Sequence, residues 1–432
     1  MSHGYVPPRL TDEAEKCLRE IGQADLVVGI PSFNNAGTIG HVTSAALAGL
    51  AKHFPSERAV LVNSDGGSTD GTRDTVLKTT WSDPRALLVE HPVSHAQKLV
   101  TPYDGLPGKG SAFRTIFHVA RQLGARACAV VDSDLRSVTP DWFEFLLGPV
   151  LRDDVDFVTP LYLRHKFDGT ITNSIVYPIT RALYGARLRQ PIGGDFGFSG
   201  RLAEHWLAQD VWESEVARFG IDIWMTTTAV TGGFSTAQAF LGAKIHDPKD
   251  PGADLSSMLV QVVGTVFRLM REHEREWKSD MEEKSVPLYG FPFAVGLEPV
   301  HVNRKRMVGL FQQGLRDLDA VYEGTLAPDT WSAVRTAARG DETTIDLDDD
   351  WWCRVVYDFA AAHAHGRWNR DTLLKALAPL YLGRVASFVR QHEHSDAAQV
   401  EEAIESLCRT FRSGRAYLLA RWNGAPFATE VT

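Results

Sequence analysis

The sequence predicts an α/β protein with a mostly parallel, doubly wound sheet. Three short apolar runs without helical spacing lie at residues 26–31, 59–63 and 127–131. Such runs are typical of strands buried on both faces of a parallel sheet. Stretches with helical spacing separate the runs, and this regular alternation indicates a doubly wound sheet. From about Ser256 the pattern is mainly helical, so we expect a sheet domain over residues 1–255 and a helical region over 256–432.

The local signals support these elements in chain order. Residues 11–21 predict an amphipathic helix that Thr11 caps and Gly22 ends. The first strand is expected to stop at Pro31, and a helix follows it to about residue 54. A weaker strand is predicted at residues 86–90, before a loop and a helix that ends near residue 123. The C-terminal helices are predicted at residues 256–277, 373–391 and 397–422.

Composition limits the function classes. The net charge of −9 and the lack of a basic block argue against a general nucleic-acid-binding protein. The four cysteines are widely spaced, which is typical of buried free thiols in a reducing compartment. Residues 1–8 lack the basic start and apolar run of a secretory signal, and no apolar stretch approaches the ~20 residues of a membrane span. We therefore expect a cytoplasmic protein without a membrane span.

Two carboxylates directly follow the third apolar run, in Asp132-Ser133-Asp134. Ligands of open α/β sheets bind outside the carboxyl ends of the strands. Side chains at i and i+2 of an extended segment point the same way, so both carboxylates are expected to face one cation. Mg²⁺ typically uses one or two protein carboxylates and completes its shell with substrate phosphates and water. The motif therefore predicts a nucleotide diphosphate held through a divalent metal, and a solvated strand end or a helix cap is the alternative.

The glycine-rich loops fit neither a phosphate P-loop nor a Rossmann dehydrogenase, because both spacings are absent. Taken together, the loops resemble the donor-binding domain of GT-A glycosyltransferases. The resemblance covers about residues 24–255. It rests on Pro31-Ser32-Phe33-Asn34-Asn35, Ser64-Asp65-Gly66-Gly67-Ser68-Thr69-Asp70 and Asp132-Ser133-Asp134, in that order.

A narrower group is also similar, namely the retaining enzymes that make glucosylglycerate, mannosylglycerate or glucosyl-3-phosphoglycerate. That similarity rests on Pro107-Gly108-Lys109-Gly110, Gln190-Pro191-Ile192-Gly193-Gly194-Asp195, Phe219-Gly220-Ile221-Asp222 and His246.

The resemblance implies roles for these residues. The residues expected to bind the donor are Pro31, Ser32, Asn34, Asp65, Lys109, Asp132, Ser133, Gly193 and Gly194. Asp134 and His246, with Asp132, are expected to bind Mg²⁺ or Mn²⁺. The expected catalytic residues are Lys109, which would offset the charge of the leaving group, Asp195 near the sugar hydroxyls, and Asp222 at the junction of sugar and acceptor. For each of these residues taken alone, a turn, a helix N-terminus or a packed side chain is the simpler explanation.

A carboxylate acceptor needs a cation, ideally the bidentate fork of an arginine. Arg164 with the hydroxyls of Thr170 and Thr172 is our candidate for this site, and a basic surface strand is an equal alternative.

These observations predict a metal-dependent retaining transfer of glucose or mannose. The donor would be a UDP- or GDP-hexose, and the acceptor a small hydroxy acid such as D-glycerate or 3-phosphoglycerate. The alternative is an inverting GT-A transferase that acts on a polysaccharide or lipid-linked acceptor, with Asp195 or Asp222 as the base. A third class is a nucleotidyltransferase-like or catalytically silent protein that binds sugar nucleotides. We expect the helical region to pack on the catalytic domain and to be able to form a homodimer.

Overall fold

The computed structural model describes residues 6–79, 96–246, 255–279, 281–293, 296–298, 300–366 and 368–424. Within these ranges the strands are β1 (Leu26–Ser32), β2 (Ala59–Asp65), β3 (Gln97–Pro102), β4 (Ala127–Val130), β5 (Phe157–Leu163), β6 (Phe196–Ser199), β7 (Thr236–Ala243) and β8 (Leu288–Tyr289). The helices are α1 (Asp12–Ile21), α2 (Ile39–His53), α3 (Thr72–Lys78), α4 (Lys109–Gln122), α5 (Pro140–Arg152), α6 (Tyr177–Tyr184), α7 (Gly200–Leu207), α8 (Ile221–Thr231), α9 (Leu255–Glu272), α10 (Glu274–Lys278), α11 (Arg304–Asp317), α12 (Asp319–Thr325), α13 (Pro328–Ala337), α14 (Asp349–His365), α15 (Arg370–Gln391), α16 (Ala397–Ser413) and α17 (Arg415–Trp422).

The chain divides into two compact units, each assembled from separate stretches. The first unit comprises Met1–Leu163, Leu188–Asp247 and Val286–Leu297, and the second comprises Arg164–Arg187, Pro248–Ser285 and Glu298–Thr432. This division differs from a single boundary after residue 255. Residues 164–187 belong to the helical unit, and residues 286–297 return to the first unit, where β8 pairs with β7.

The described strands of the first unit form one sheet in the order β3-β2-β1-β4-β6-β5-β7-β8. All neighbouring strands in it are parallel except β6, which runs antiparallel to both β4 and β5. The order reverses at β1, which pairs with β2 on one side and β4 on the other. In open α/β sheets this switch point, at the carboxyl ends of the strands, is where ligands bind. The predicted α/β class with a mostly parallel, doubly wound sheet is confirmed.

Helices cover both faces of this sheet. On one face, alternate residues of β1, Leu26, Val28 and Ile30, share an apolar core with residues of α2 and α5. On the opposite face, Gly29 lies against Ile116 of α4 so closely that a Cβ there would overlap that side chain. Burial on both faces explains why these strands appear in the sequence as continuous apolar runs rather than alternating ones.

Strand β1 continues past Pro31 to Ser32, one residue beyond the predicted stop. Its pairing with β4 ends at Gly29, whereas its pairing with β2 continues to Ser32 opposite Asp65. Beyond Gly29 the strand therefore has one neighbour, and the missing N–H of Pro31 disrupts nothing on the open side.

Two other local expectations have different outcomes. Thr11 accepts a hydrogen bond from the Ala14 N–H, and Gly22 ends α1 with a φ of 70°, as predicted. Strand β3 lies in a stretch that we expected to be a loop, and only two of its six residues are buried. The described residues place it at the end of the sheet, where one-sided pairing leaves a weak apolar pattern. The strand predicted at residues 86–90 lies outside the described residues.

The second unit is built from close helix contacts, which confirms a helical C-terminal region. Gly314 of α11 lies against Pro379 of α15, and Gly383 of α15 lies against the Phe311 ring of α11. Asp358 of α14, fully buried, pairs with Arg421 of α17. Helix α15 is, among the described helices, the one long and apolar enough to cross a membrane. The window that passes this test is 72% buried, as in the core helix of many soluble proteins.

Gly197→Ala tests the packing of α5 on the sheet. A Cβ at Gly197 would overlap the backbone carbonyl of Leu146, which cannot move like a side-chain tip. We expect the variant to lower the free energy of unfolding by about 1–3 kcal/mol or more, measured by thermal unfolding. Gly37→Ala is the control, because a Cβ there has no atom within 4 Å. Equal unfolding temperatures for the two variants would contradict this packing.

Candidate functional site

The site is built at the carboxyl ends of the strands around β4. Residue 132 follows β4, and Asp195 directly precedes β6. Because β6 is antiparallel to β4, its amino end lies at the same edge of the sheet as the carboxyl end of β4, with Val130 opposite Phe196. This reversed strand brings Asp195 beside Asp132, and Asp195 Oδ1 accepts the Asp132 N–H at 2.8 Å.

Asp132 is the centre of a partly buried ion cluster. Its Oδ1 lies 2.8 Å from Nζ of Lys109, and its Oδ2 lies 2.9 Å from Nζ of Lys244. The carboxylate side chain is 22% exposed. The cluster thus joins the end of β4 to the start of α4 and to the residue that follows β7.

Lys109 also contacts Asp222 in the first turn of α8. Its Nζ lies 3.2 Å from Asp222 Oδ1 and 3.4 Å from Oδ2, and 3.5 Å from the Gly194 carbonyl oxygen. Asp222 is buried, and its Oδ1 has this ion pair but no hydrogen bond of good geometry. These longer contacts leave Lys109 and Asp222 able to change partner.

Lys244 is a functional candidate that the sequence analysis missed. Its Nζ donates to Asp132 Oδ2 and Asp195 Oδ2, both at 2.9 Å, and to the Gly193 carbonyl at 2.7 Å. The available signal was a charged residue one position after an apolar strand and two before His246. For Tyr162, the other missed residue, no sequence signal exists, because it lies within an ordinary apolar strand.

Asp195 is completely enclosed. Its Oδ2 accepts from the Tyr162 hydroxyl and from Lys244, while its Oδ1 accepts the Asp132 N–H. The side chain is 0% exposed. A carboxylate in this state has little capacity to bind a sugar hydroxyl, so the structure supports Asp195 as a residue that holds the site together.

Electrostatics distinguish the three carboxylates. Burial raises the pKa of Asp132, but Lys109 and Lys244 outweigh burial and hold this pKa below its usual range. Burial raises the pKa of Asp195 and of Asp222 above the ordinary value, and the neighbouring lysines only partly oppose it. Burial lowers the pKa of Lys109, but Asp132 and Asp222 outweigh it and keep the ammonium charged. Of the three carboxylates, Asp132 therefore favours the charged form most strongly.

The glycines on either side of Lys109 allow two backbones to approach. A Cβ at Gly108 or Gly110 would overlap the carbonyl of Ala217 or Val216, in the 3₁₀ turn Glu215–Ala217. Gly110 also donates its N–H to the Arg218 carbonyl at 3.2 Å. This contact fixes the start of α4 close to the start of α8, and so places Lys109 beside Asp222.

The Asp132-Ser133-Asp134 motif is not extended. Strand β4 ends at Val130, and Ser133 and Asp134 form a turn, so the two carboxylates do not project as i and i+2 of a strand. Asp132 pairs with the two lysines, and its expected role beside Asp134 in binding a cation stays a prediction. Leu135 pairs antiparallel with His246, so the backbone of His246 lies beside this turn. Among the described residues, no group of three or more His, Cys, Asp or Glu side chains is placed to hold a metal.

The loops after β1 and β2 form a second part of the site. Asp65 is 1% exposed, and its carboxylate accepts from the Ser32 and Ser68 hydroxyls and from the N–H groups of Gly67 and Ser68. Four bonds fill the acceptor positions of a carboxylate, so Asp65 shapes the loop here.

Other bonds tie these loops to each other and to the aspartate turn. Asn34, at a φ of 53°, accepts from the Thr69 N–H at 3.0 Å. Ser133 donates to Asn35 Oδ1 at 2.8 Å. Pro31 is buried in β1, next to Ser32. The predicted donor-binding residues of the two loops and of the turn thus form one connected network.

The acceptor candidates belong to the second unit. Nη1 of Arg164 lies 3.4 Å from Asp168 Oδ2. The Thr170 hydroxyl bonds to the Tyr381 hydroxyl, and Thr172 is buried at the start of the π-helical turn Thr172–Val176. Their role in binding an acceptor stays a prediction.

No protein-family model and no curated protein matches this chain. Solved structures of glucosyl-3-phosphoglycerate synthase from Mycobacterium tuberculosis are similar to it. The complex with Mn²⁺, UDP and glucosyl-3-phosphoglycerate is 22% identical with a TM-score of 0.42, and covers 58% of this chain and 83% of that chain. The complex with Mg²⁺ and UDP is 20% identical, with the same TM-score and coverage.

Asp195→Asn tests the enclosed part of the cluster. The amide keeps the shape but removes the charge that faces Lys244, and it turns an N–H₂ group toward an existing donor. Breaking a buried ion pair in this way costs about 3–5 kcal/mol of the free energy of unfolding. Asp210→Asn, at an exposed turn, is the control and should leave the unfolding temperature unchanged. A stable Asp195→Asn protein would contradict the enclosed ion pair.

Proposed function

We propose that this protein is a hexosyltransferase that uses a nucleotide diphosphate sugar and Mg²⁺ or Mn²⁺. It would transfer glucose or mannose to a small hydroxy acid such as D-glycerate or 3-phosphoglycerate, with retention of the anomeric configuration. The observation that carries this proposal is the contact of Lys109 with Asp132 at the switch point of the sheet. It places an ammonium that is only 14% exposed at the carboxyl ends of the strands, where the ligands of open α/β sheets bind.

The donor would lie across the two connected loops and the aspartate turn. Pro31, Ser32 and Asn34 are assigned to the nucleoside, with Asp65 keeping the loop in shape through its four hydrogen bonds. Ser133 joins this loop to the turn. Gly193 and Gly194 bring backbone close to the cluster, since the carbonyls of both approach a lysine. We assign the transferred hexose to this backbone.

Asp134 and His246 would hold the divalent metal. A carboxylate and an imidazole are acceptable ligands for Mn²⁺ or Mg²⁺, and the pairing of Leu135 with His246 brings the backbone of His246 beside the turn that contains Asp134. Two protein ligands suffice where the diphosphate and water complete the shell. When bound, the metal supplies positive charge to the diphosphate.

Lys109 would stabilise the departing diphosphate. Asp132 keeps its ammonium charged. Lys109 is the first residue of α4, where the positive end of the helix dipole also favours a phosphate. Its contacts with Asp222 are long enough to exchange for a phosphate oxygen. Positive charge placed where negative charge develops lowers the barrier to bond cleavage.

The proton of the acceptor hydroxyl needs no protein base in this proposal, since the leaving phosphate lies on the side of attack and can accept it. An inverting mechanism would need a carboxylate on the opposite side of the sugar. Asp195 is unsuited to this, because its oxygens are occupied and buried. Asp222 is the remaining carboxylate for the inverting alternative, and the anomeric configuration of the product separates the two mechanisms.

We assign the acceptor carboxylate to Arg164, with Thr170 and Thr172. Lys166 is not available for an acceptor phosphate in this conformation. Its Nζ donates to the carbonyls of His392, Glu393 and Ser395 at 3.0, 2.7 and 2.8 Å, in the turn between α15 and α16.

Release of nucleoside diphosphate tests the proposed reaction. UDP- and GDP-glucose and their mannose counterparts are incubated with D-glycerate or 3-phosphoglycerate, with Mg²⁺, Mn²⁺ or EDTA. We expect release from one donor that requires both acceptor and metal, and loss of release in Asp134→Asn. Asp74→Asn, at an exposed residue of α3, is the matched control. Release of pyrophosphate, or intact donor under all conditions, would contradict a hexosyltransferase.

Lys109→Met tests the role of the ammonium. Removing a group that stabilises charge in the transition state costs about 10²–10³-fold in kcat. We expect a loss of this size, with a smaller change in the KM for the donor. Lys98→Met is the control, because Lys98 caps the end of α3 through the carbonyls of Val76, Leu77 and Thr79. A kcat equal to that of the control would refute the role of Lys109.

A further inference from the structure

We propose that Lys244 is a positioning residue, which holds Asp132 and the loop 193–195 in the arrangement that binds the donor without contacting the donor itself. The inference rests on the proposed function and deepens it. The ammonium groups of Lys244 and Lys109 differ in the number and length of their hydrogen bonds to the protein. This difference indicates separate roles for the two lysines.

The ammonium of Lys244 has no donor left for a ligand. A lysine ammonium has three N–H groups. Those of Lys244 are directed to Asp132 Oδ2 at 2.9 Å, Asp195 Oδ2 at 2.9 Å and the Gly193 carbonyl at 2.7 Å. The side chain is 6% exposed, against 14% for Lys109. Binding a phosphate through Lys244 would require breaking a short, buried bond, whereas Lys109 has contacts of 3.2 to 3.5 Å to give up.

Lys244 joins parts of the chain that the sheet does not join directly. It follows β7, while Asp132 follows β4, and the strand order places β6 and β5 between these two. The third partner, Gly193, lies in the loop that leads into β6. One side chain therefore sets the distances between the ends of β4 and β7 and the loop before β6. Donor binding, as proposed above, depends on these same distances.

The loop is shaped around this ion pair. Gly194 has a φ of +89°, and a Cβ at this position would overlap Asp132 Oδ2 and lie 2.9 Å from Lys244 Nζ. On the other side, the Tyr162 ring lies 5.3 Å from Lys244 Nζ, and its hydroxyl donates to Asp195. The cluster is thus packed from both sides. Loss of the ammonium would leave Asp132 and Asp195 close together without the charge between them, and we expect the two carboxylates and the loop to separate.

The test compares Lys244→Met with Lys98→Met. Both variants remove an ammonium that donates to three protein oxygens, but Lys98 lies on β3 and caps α3 outside the cluster. For Lys244→Met we expect the KM for the donor, and the Kd for UDP or GDP measured calorimetrically with Mn²⁺, to rise about 10–100-fold, the usual effect of losing a supporting contact. The KM for the acceptor and kcat should stay close to those of the wild type, because in this proposal Lys244 contacts neither the acceptor nor the reacting atoms. Lys98→Met should match the wild type in all four quantities.

Each outcome bears on the inference. If Lys244→Met matches Lys98→Met, the positioning role is refuted while the proposed function stands. If kcat falls with the donor KM unchanged, Lys244 acts on the reacting atoms and the positioning role is refuted. If the wild type neither binds a nucleoside diphosphate nor releases one, the proposed function fails and the inference fails with it.

Should Lys244→Met not fold, Tyr162→Phe provides the second variant. It removes one hydroxyl from the bonds to Asp195 and keeps the ring beside Lys244. We expect the same pattern at smaller size, with the Kd for the nucleoside diphosphate raised about 3–10-fold and kcat unchanged. An unchanged Kd in Tyr162→Phe would overturn the inference.

Discussion

The candidate site depends on the bridging of Asp132 by two lysines. Burying a carboxylate is unfavourable unless opposite charges and hydrogen bonds compensate for the lost water. Lys109 and Lys244 do this from opposite sides, one on each oxygen of Asp132. Because each lysine comes from a different element, the compensation of charge also fixes the start of α4 and the end of β7 relative to β4. Electrostatics and geometry are therefore set by the same contacts.

Sequence alone could predict the features of this arrangement that depend on interactions between residues close together in the chain. The apolar runs of β1, β2 and β4, and the cap of α1 at Thr11, follow from burial on both faces and from local hydrogen bonding. Lys109 and Asp132 could be named because glycines or an apolar strand end mark them. Lys244 also follows an apolar strand, but its contacts with Asp132 and Asp195 depend on the strand order β4-β6-β5-β7, which no local pattern encodes.

The same distinction applies to the two glycines beside Lys109. Gly108 and Gly110 stand on either side of this lysine in the sequence. In the structure a side chain at either position would overlap the turn Glu215–Ala217. The glycines still position Lys109, but they do so by bringing two backbones together. A sequence shows that a close approach is needed and does not show which partner approaches.

Charged residues that support the site differ from those that would contact a ligand in how many bonds they already make. Asp195 and Lys244 each have three short, buried partners, so new contacts would be made only at the cost of existing ones. Lys109 and Asp222 face each other at 3.2 to 3.4 Å, and Oδ1 of Asp222 lacks a well-formed hydrogen bond. A ligand that offers a phosphate oxygen to Lys109 and a hydroxyl to Asp222 would replace a weak contact with two strong ones. Nucleotide sugars carry both groups close together, which is why this pair, rather than the better-formed one beside it, is where we expect the chemistry to occur.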